Sequence, residues 1–241
     1  MFVFYNCAMA SRPLSERVSA LATLDDPTRQ AVFDLISRAG TAMGRDATAE
    51  ALGVTRRVAA FHLDRLAEQG LLAVEFRRPP GRSGPGAGRP TKLYRRTEEE
   101  LAVSVPERHY DLLGGLLAAA VAESIDTASP VRDVLHRTAY DAGRALGGAA
   151  GNLPEALADA GYEPRHSEPD SGAIVLGNCP FHRLAQQFTA LVCGVNLRLL
   201  HGVVDGTGDS THLAQLDPAP GRCCVRLQPT GSATPGKKAS S

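Results

Sequence analysis

Residues 47–72, ATAEALGVTRRVAAFHLDRLAEQGLL, hold a short amphipathic segment, a Gly-Val turn and a longer amphipathic segment. Asp46 is placed to cap the first helix, and Gly53 can end it because glycine adopts left-handed backbone angles without a steric penalty. Thr55 is placed to cap the second helix, which Gly70 closes. A short helix, a glycine turn and a longer helix predict a helix-turn-helix.

The second of these helices has two different faces. One face carries the residues that we expect to pack into a core: Ala59, His62, Leu63 and Leu66. We interpret His62 as a hydrogen-bonded core residue rather than a ligand. The other positions, Asp64 among them, are free to meet DNA, and four are the predicted contacts: Thr55, Arg56, Arg57 and Phe61. The two arginines come first, because residues near the start of a recognition helix meet base edges or phosphates, whereas a merely solvated face is the alternative.

Two short β-prone stretches follow, Leu71 to Phe76 and Lys92 to Arg96, joined by a loop rich in Gly, Pro and Arg. Two strands around such a loop predict a wing. Arg82 and Arg89 in the loop are the predicted contacts to phosphates or to a minor groove. A flexible linker is the alternative interpretation of the loop.

The charge distribution agrees with a DNA-binding region in one half of the chain. The formal net charge is zero, from 26 basic and 26 acidic residues. Residues 51–96 nevertheless hold ten Lys and Arg against three Asp and Glu, and the residues after Glu100 hold eleven against fourteen. A local excess of positive charge favours a nucleic-acid partner for the first region alone.

Three motifs in this half carry a resemblance to a known family: LATLDDPTRQAVFDLI at residues 21–36, the helix-turn-helix string above, and the GRP-containing loop. They resemble the ArsR-type winged-helix regulators over about residues 15–97. The resemblance implies a winged helix-turn-helix domain, placed at residues 15–100 after a disordered extension at residues 1–14. It also implies a double-stranded DNA operator, read by a symmetric homodimer.

The middle segment, residues 106–127, predicts an amphipathic helix interrupted by Gly114-Gly115. Its apolar stripe comprises Tyr110, Leu112, Leu113, Leu116, Leu117 and Val121. We favour a dimerisation helix, since a small apolar helix after the wing is a usual place for the interface of such regulators. Packing of the stripe within one chain is the alternative.

Four cysteines lie close together near the C-terminus, and Cys7 is interpreted as an incidental thiol. Thirteen residues separate Cys179 from Cys193, and twenty-nine separate Cys193 from Cys223, so the paired spacing of zinc fingers is missing. Three cysteines brought together from separate elements would suit zinc, copper(I) or an iron–sulfur cluster. Buried free cysteines that merely behave as small hydrophobes are the alternative.

Geometry constrains such a site. An unbroken helix from Pro180 to Val203 would hold Cys179 and Cys193 about 21 Å apart, so we expect a break near Thr189, which would cap a second helix from Ala190. His182 is the candidate fourth ligand, with an ordinary polar residue as the alternative. Residues 223–227 predict a strand in which Cys223 faces the core, and Cys224 stays a second candidate in case the site lies at a wet rim.

The strings NCPFHRLA (178–185), LVCGVNLRLL (191–200) and GRCCVRL (221–227) resemble the sensor domain of the iron–sulfur repressors of sulfur-mobilisation (Suf) operons and their actinobacterial relatives. The resemblance implies a [2Fe–2S] or [4Fe–4S] cluster on Cys179, Cys193 and one of Cys223 and Cys224. A zinc site, a thiol-redox site, an organic-ligand site or no cofactor is the alternative.

The expected fold class is thus α+β, with a cysteine-bearing α+β sensor domain at residues 130–228 and a disordered tail at residues 229–241. No HExxH or GxSxG motif and no carboxylate pair supplies hydrolytic chemistry, so an enzyme is not expected. No stretch approaches the roughly 18 apolar residues of a membrane helix. We therefore expect a cytoplasmic redox-sensing repressor without membrane association.

Overall fold

The computed structural model describes residues 12–78, 90–167 and 172–231, and the chain divides into two compact units, Met1–Val103 and Ser104–Ser241. It is a mixed helix and sheet structure, as predicted. Across these three ranges, no helix combines the length and the apolarity needed to cross a membrane.

The first unit contains four helices and a small sheet among its described residues. The helices are α1 (Leu14–Ala22), α2 (Pro27–Ala39), α3 (Arg45–Leu52) and α4 (Arg56–Glu68). The strands are β1 (Met43–Gly44), β2 (Leu72–Arg77) and β3 (Thr91–Arg96), antiparallel in the order β1-β3-β2. The core consists of Val32, Ile36, Leu63, Leu66, Leu71, Leu72 and Tyr94.

Local signals in the sequence account for most of these boundaries. The Asp26 side chain accepts a hydrogen bond from Arg29 N at the start of α2, and Gly53 ends α3 with φ of 64°. Two expectations were wrong. Gly44, and not Asp46, is the N-cap of α3. Leu14, placed in the disordered extension, begins α1, and Arg12 donates to Gln69 O at 2.7 Å.

The second unit combines five described helices with a four-stranded sheet. The helices are α5 (Tyr110–Thr127), α6 (Val131–Ala149), α7 (Leu153–Asp159), α8 (His182–Gln187) and α9 (Thr189–Gly206). The strands are β4 (Pro164–His166), β5 (Ile174–Leu176), β6 (His212–Leu216) and β7 (Val225–Pro229), antiparallel in the order β4-β5-β7-β6. The residues that the sequence assigned to a disordered tail thus begin inside β7, whose Pro229 pairs with His212.

Glycines bring α6 and α9 into backbone contact. A Cβ atom added at Gly143 would lie 2.0 Å from Leu199 O, and one added at Gly202 would lie 2.0 Å from Tyr140 O. No side chain fits at such separations, because overpacking of this degree forces the backbones apart. Since Cys193 lies in α9, this close contact fixes the helix that carries one of the candidate ligands.

The middle helix α5 packs within its own unit. Leu113, Leu116 and Ala120 are buried in the core that α6 and α9 share. Val121, predicted to belong to the same stripe, is 48% exposed, and Ile125 is 76% exposed. One half of the predicted apolar stripe is therefore buried in the core of the same chain, and the other half is exposed. Packing within one chain, which was the less favoured alternative, accounts for the buried half.

Candidate DNA-binding surface and cysteine cluster

Helix α4 is the predicted recognition helix. Thr55 is its N-cap, and its hydroxyl oxygen accepts a hydrogen bond from Val58 N at 3.3 Å. The four residues predicted to pack are all buried: Ala59, His62, Leu63 and Leu66. This burial confirms the predicted rotation of the helix and leaves the opposite face to solvent.

That opposite face carries positive charge and one aromatic ring. Arg56 and Arg57 are both exposed in the first turn, and Phe61 is 62% exposed one turn later. Arg56 Nε donates to Asp46 Oδ1 at 2.6 Å. Both side chains of this pair are largely exposed, so the ion pair is weak and a phosphate can replace Asp46. Contact of Thr55, Arg56, Arg57 and Phe61 with DNA stays a prediction.

Asp64 has a different role from the DNA-facing one expected of it. Its carboxylate accepts hydrogen bonds from Arg45 at 2.7 Å, Lys92 at 2.5 Å and the Tyr94 hydroxyl at 2.6 Å. Partial burial by itself raises the pKa of Asp64, but the hydrogen bonds from Lys92 and Tyr94 outweigh it, and the pKa is lowered. Asp64 therefore joins α4 to α3 and to the wing strand β3.

Two further predictions in this unit have different outcomes. His62 is buried as expected, but within the described residues its Nδ1 has no hydrogen-bond partner, so the expectation of a hydrogen-bonded core histidine is wrong for that nitrogen. The strands β2 and β3 pair in register from Leu72 with Arg96 to Arg77 with Thr91, which gives the wing its two arms. Arg82 and Arg89 lie outside the described residues.

The second candidate site is formed by cysteines that come from three elements of the C-terminal unit. Cys179 precedes α8, Cys193 lies in α9, and Cys223 precedes β7. The helix break that this convergence requires occurs at Phe188, between α8 and α9. Its position near Thr189 was predicted. Thr189 is not the cap, however, because its hydroxyl donates to Ala185 O at 2.7 Å and Phe188 takes the N-cap position.

The four thiols form a connected cluster. The pKa values of Cys179, Cys223 and Cys224 depend on one another, and those of Cys179 and Cys224 also depend on Cys193, so the four sulfurs are neighbours. All four are free cysteines. Cys179 and Cys193 are each 7% exposed and Cys223 is 1% exposed. The four cysteines are therefore neighbours in the fold, while a shared binding site on Cys179, Cys193 and one of the vicinal pair stays a prediction.

Hydrogen bonding favours one thiolate at the centre of this cluster. Donation from the Cys179 and Cys224 thiols, and from Val225 N–H and Asn196 Nδ2, lowers the pKa of Cys223. Hydrogen bonding to Cys223 together with burial raises the pKa of Cys179 and of Cys224. Asn196 Nδ2 lies 3.2 Å from Cys223 Sγ, and its Oδ1 accepts from the Tyr162 hydroxyl. Asn196 thus ties α9 to the turn of Cys223.

The vicinal pair follows the predicted alternation. Cys223, Val225 and Leu227 are buried, whereas Cys224 and Arg226 are only partly buried. The strand itself begins at Val225 and not at Cys223, so the two cysteines lie in the turn that leads into β7. Because both of them contact other cysteines, burial does not by itself exclude Cys224 as a ligand.

The remaining candidate ligand, His182, is placed away from the cluster. It is the first residue of α8 and is exposed, and in the described part of the chain its ring makes no contact with a cysteine. Only its backbone N–H reaches this region, donating to Cys179 O at 3.1 Å. The expectation that His182 supplies a fourth ligand therefore has no support in this fold, because a side chain at the start of α8 points to solvent.

The residue types at this cluster are those that hold iron–sulfur clusters, since all four are thiols. Among the described residues, no group of three or more His, Cys, Asp and Glu side chains has the geometry to hold a metal ion. The fit therefore lies in the chemistry of the donors and not in a preformed arrangement. Thiolates are the ligands of iron–sulfur clusters, and backbone N–H groups such as those of Phe181 and Val225, which donate to Cys179 and Cys223, tune such ligands.

One residue of this site was missed in the sequence. Asn196 is 1% exposed in an otherwise apolar part of α9, three positions after Cys193, and it bonds to Cys223. A polar side chain on the apolar face of a helix costs free energy unless it finds a partner. The position of Asn196 on the same face as Cys193 could therefore have marked it as a site residue. Its partner Cys223, twenty-seven residues away, could not have been found from the sequence.

Comparison with known proteins agrees with the first of the two sites. Residues 24–75 match the family model described as a helix-turn-helix domain. No curated protein and no solved structure gives a significant match to the chain. The matched residues contain α2, α3, α4 and the start of β2, which are the elements that position Arg56 and Arg57. The chain thus carries a helix-turn-helix domain of the kind found in DNA-binding transcription regulators.

Proposed function

We propose that the chain is a dimeric transcriptional repressor whose operator binding is controlled by an iron–sulfur cluster in its C-terminal unit. Cys179, Cys193 and Cys223 would hold the cluster, with Cys224 in place of Cys223 as the open alternative. The single observation that supports this proposal is that four thiols from three separate segments are neighbours in that unit, with Cys179 and Cys223 in one core cluster and Cys224 packed against it.

At the DNA, α4 would lie in the major groove with its first turn against the base edges. Among the described residues, Arg57 makes no side-chain hydrogen bond or ion pair, and Arg56 is bound only to exposed Asp46. An arginine in this position can bond two acceptors of a guanine or hold a phosphate. The wing, whose strands pair beside α4, would add contacts to the backbone of the operator.

The uncovered face of α5 is the proposed dimer interface. It carries Gly114, Ala118, Val121 and Ile125, all of them exposed, and a Cβ at Gly114 would meet nothing within 4 Å. A helix that is apolar on all sides is normally buried on all sides, and small residues let a second helix approach closely. The occupant that we propose is α5 of a second copy, since two recognition helices are needed to read two half-sites.

A cluster can control DNA binding only if it binds one conformation of the protein more tightly than another. When bound, the cluster would supply a centre whose presence or oxidation state differs between two cellular conditions. The chain's own residues would orient and shield the cluster. Asn196 donates a hydrogen bond to Cys223, and the buried position of Cys179 and Cys193 excludes bulk water.

The test is anaerobic purification of the full chain, followed by visible absorption and assays of iron and acid-labile sulfide. We expect a coloured protein with both elements bound. A colourless, iron-free protein that still binds DNA would contradict the cluster and leave the regulator intact. Sedimentation of the same sample gives the oligomeric state, and a monomer that binds DNA would contradict the interface on α5.

Variants assign the ligands. Serine at Cys179, Cys193 or Cys223 should abolish or destabilise the cluster, because a serine oxygen is a harder and poorer ligand for such iron than a thiolate. Serine at Cys7 is the matched control and should change nothing. The pair Cys223→Ser and Cys224→Ser decides the vicinal alternative: loss at Cys224 and retention at Cys223 would reverse our assignment.

The competing function is a thiol-redox regulator without a cluster, for which the contact between Cys223 and Cys179 is the relevant observation. Loss of two electrons and two protons to an oxidant such as a peroxide would join these sulfurs in a disulfide. Peptide mapping of air-exposed, iron-free protein would find that bond if this function is the correct one.

A further inference from the structure

We infer that Arg108 and Asn178 are positioning residues, which hold the loop of Cys179 against the segment that enters α5 and thereby couple the cysteine cluster to that segment. The inference rests on the proposed function and adds the path by which the site acts. The segment is Glu107, Arg108 and His109, immediately before α5.

A dense set of hydrogen bonds joins this segment to the Cys179 loop. Arg108 Nη1 donates to Asn178 Oδ1 and, at 3.1 Å, to Cys179 O. Asn178 Nδ2 donates in return to Glu107 O at 2.9 Å. His109 N donates to Pro180 O at 3.2 Å. Three consecutive residues of the segment thus bind three consecutive residues of the loop.

The same loop is anchored on its other side, so that Asn178 acts as a junction. Its Nδ2 also donates to Gly161 O at 2.6 Å, and its backbone N donates to Tyr162 O at 3.0 Å. Asn178 is 6% exposed. A buried amide whose donors and acceptor are all engaged is costly to displace, because each bond that is lost leaves an unsatisfied polar group.

Packing leaves little freedom for the segment to move independently of the loop. A Cβ at Gly161 would lie 3.1 Å from the His109 ring and 3.4 Å from Glu107 Cβ, and Gly161 has φ of 78°. His109 is itself buried. The turn at Gly161 therefore lies directly against the segment, and the segment is held between this turn and the Cys179 loop.

The sulfur of Cys179 is connected to these bonds through a short length of backbone. Phe181 N–H donates to Cys179 Sγ, while Arg108 holds the carbonyl of the same cysteine. A backbone movement of Cys179 on cluster binding would therefore change the bond from Arg108 to the carbonyl of that residue. Arg108 and Asn178 carry that movement to Glu107, three residues after Ser104, the first residue of the C-terminal unit.

The first experiment needs no cluster. In anaerobic, iron-free protein, the rate of alkylation of each cysteine is measured by mass spectrometry under native conditions. We expect Arg108→Ala and Asn178→Ala to increase the rate at Cys179 by roughly tenfold, the factor that corresponds to one lost hydrogen bond to a charged group. The rate at Cys193, in the same molecule, should stay within about twofold and serves as the internal reference.

The second experiment measures coupling directly. The ratio of operator affinities between cluster-loaded and cluster-free protein is determined on an operator obtained by selection from random DNA. Couplings of this kind are typically about 5–150-fold. We expect Arg108→Ala to bring the ratio close to one while the visible spectrum is retained, and Arg108→Lys, which keeps the charge and one donor, to restore part of it.

Arg144→Ala is the matched control, because Arg144 is an exposed arginine of α6 in the same unit and, among the described residues, has no side-chain hydrogen bond to the Cys179 loop. It should leave both the alkylation rates and the affinity ratio as in the wild type. If Arg108→Ala does not fold, Arg108→Lys and Asn178→Ala give the same comparison. Wild-type values of both readouts in folded variants would overturn the inference, whereas an iron-free wild type would refute the cluster and leave the alkylation test valid.

Discussion

The two units of this protein carry their candidate functional residues in opposite environments. Arg56 and Arg57 project from the first turn of α4 into solvent, while Cys179, Cys193 and Cys223 lie in the core of the second unit. A group that binds an external partner must be exposed, so its loss costs binding and little stability. A buried group is part of the packing, so a change in its chemistry alters the fold around it.

The second difference is how each site is held. In the first unit, Asp64 of α4 binds Arg45 of α3 and both Lys92 and Tyr94 of β3, and this network fixes the orientation of the recognition helix. In the second unit, glycines on α6 and α9 allow the two backbones to touch beside the helix of Cys193. The first support is electrostatic and partly exposed, whereas the second is steric. These supports should therefore respond to different perturbations.

The largest effect expected from this comparison is on operator affinity. Replacement of both Arg56 and Arg57 with alanine should weaken binding by about 2–6 kcal/mol, since each good base contact is worth about 1–3 kcal/mol. The urea midpoint of unfolding should stay unchanged, because both side chains are exposed. Fluorescence anisotropy with labelled operator gives the affinity, and unchanged affinity would show that another face of α4 meets the DNA.

A smaller effect distinguishes two neighbouring glycines of α6. A Cβ at Gly147 would lie 2.3 Å from Val203 O, whereas one at Gly148 would lie 3.8 Å from its nearest atom, Gly206 O. Gly147→Ala should destabilise the protein by about 1–3 kcal/mol through overpacking. Gly148→Ala should be neutral or stabilise it by up to about 1 kcal/mol, because alanine is the better helix former.

Urea unfolding of the two variants, followed by circular dichroism, checks this contrast. Equal midpoints for Gly147→Ala and Gly148→Ala would mean that α6 and α9 are not in backbone contact in solution. That outcome would remove the steric support that the comparison assigns to the second unit.

The smallest effect concerns pH and the first unit. The pKa of Asp64 is lower in the folded chain than in the unfolded chain. Its contribution to stability is therefore complete above the unfolded value of about 3.9 and is lost as the pH falls through the folded value. Asp64→Asn should lower the free energy of unfolding by about 1 kcal/mol near neutral pH, because the site is partly exposed.

The difference between wild type and Asp64→Asn should shrink as the pH is lowered below 3.9, and denaturation series at several pH values measure it. A difference that is independent of pH would indicate that the network stabilises α4 by packing alone.

The sequence predicted the first unit well because its signals are local. Thr55 caps α4, Gly53 ends α3, and the apolar spacing of α4 falls within a single helix, so each inference concerned residues a few positions apart. Where a partner was distant, the inference was wrong. Asp64 was assigned to the DNA-facing surface because its partners Lys92 and Tyr94 lie in another element.

In the second unit the sequence identified the candidate residues, and only the structure showed which of them lie close together. Alternation placed Cys223 inside and Cys224 at the edge, since a period of two is a local property of extended chain. The helix break at Phe188 is set by tertiary packing. The contact of Asn196 with Cys223 and the bonds from Arg108 to the Cys179 loop join residues that are up to about seventy positions apart.

By itself, the sequence thus determined the helix-turn-helix, the wing strands and the set of cysteines worth testing, because caps, turns and periodicity act over one or two turns of chain. Only the tertiary structure decided that Cys179 and Cys223 share one core cluster, that His182 faces solvent, and that α5 is covered on one side by its own core. Contacts between distant segments depend on how all the elements pack at once, and no short stretch of sequence contains that information.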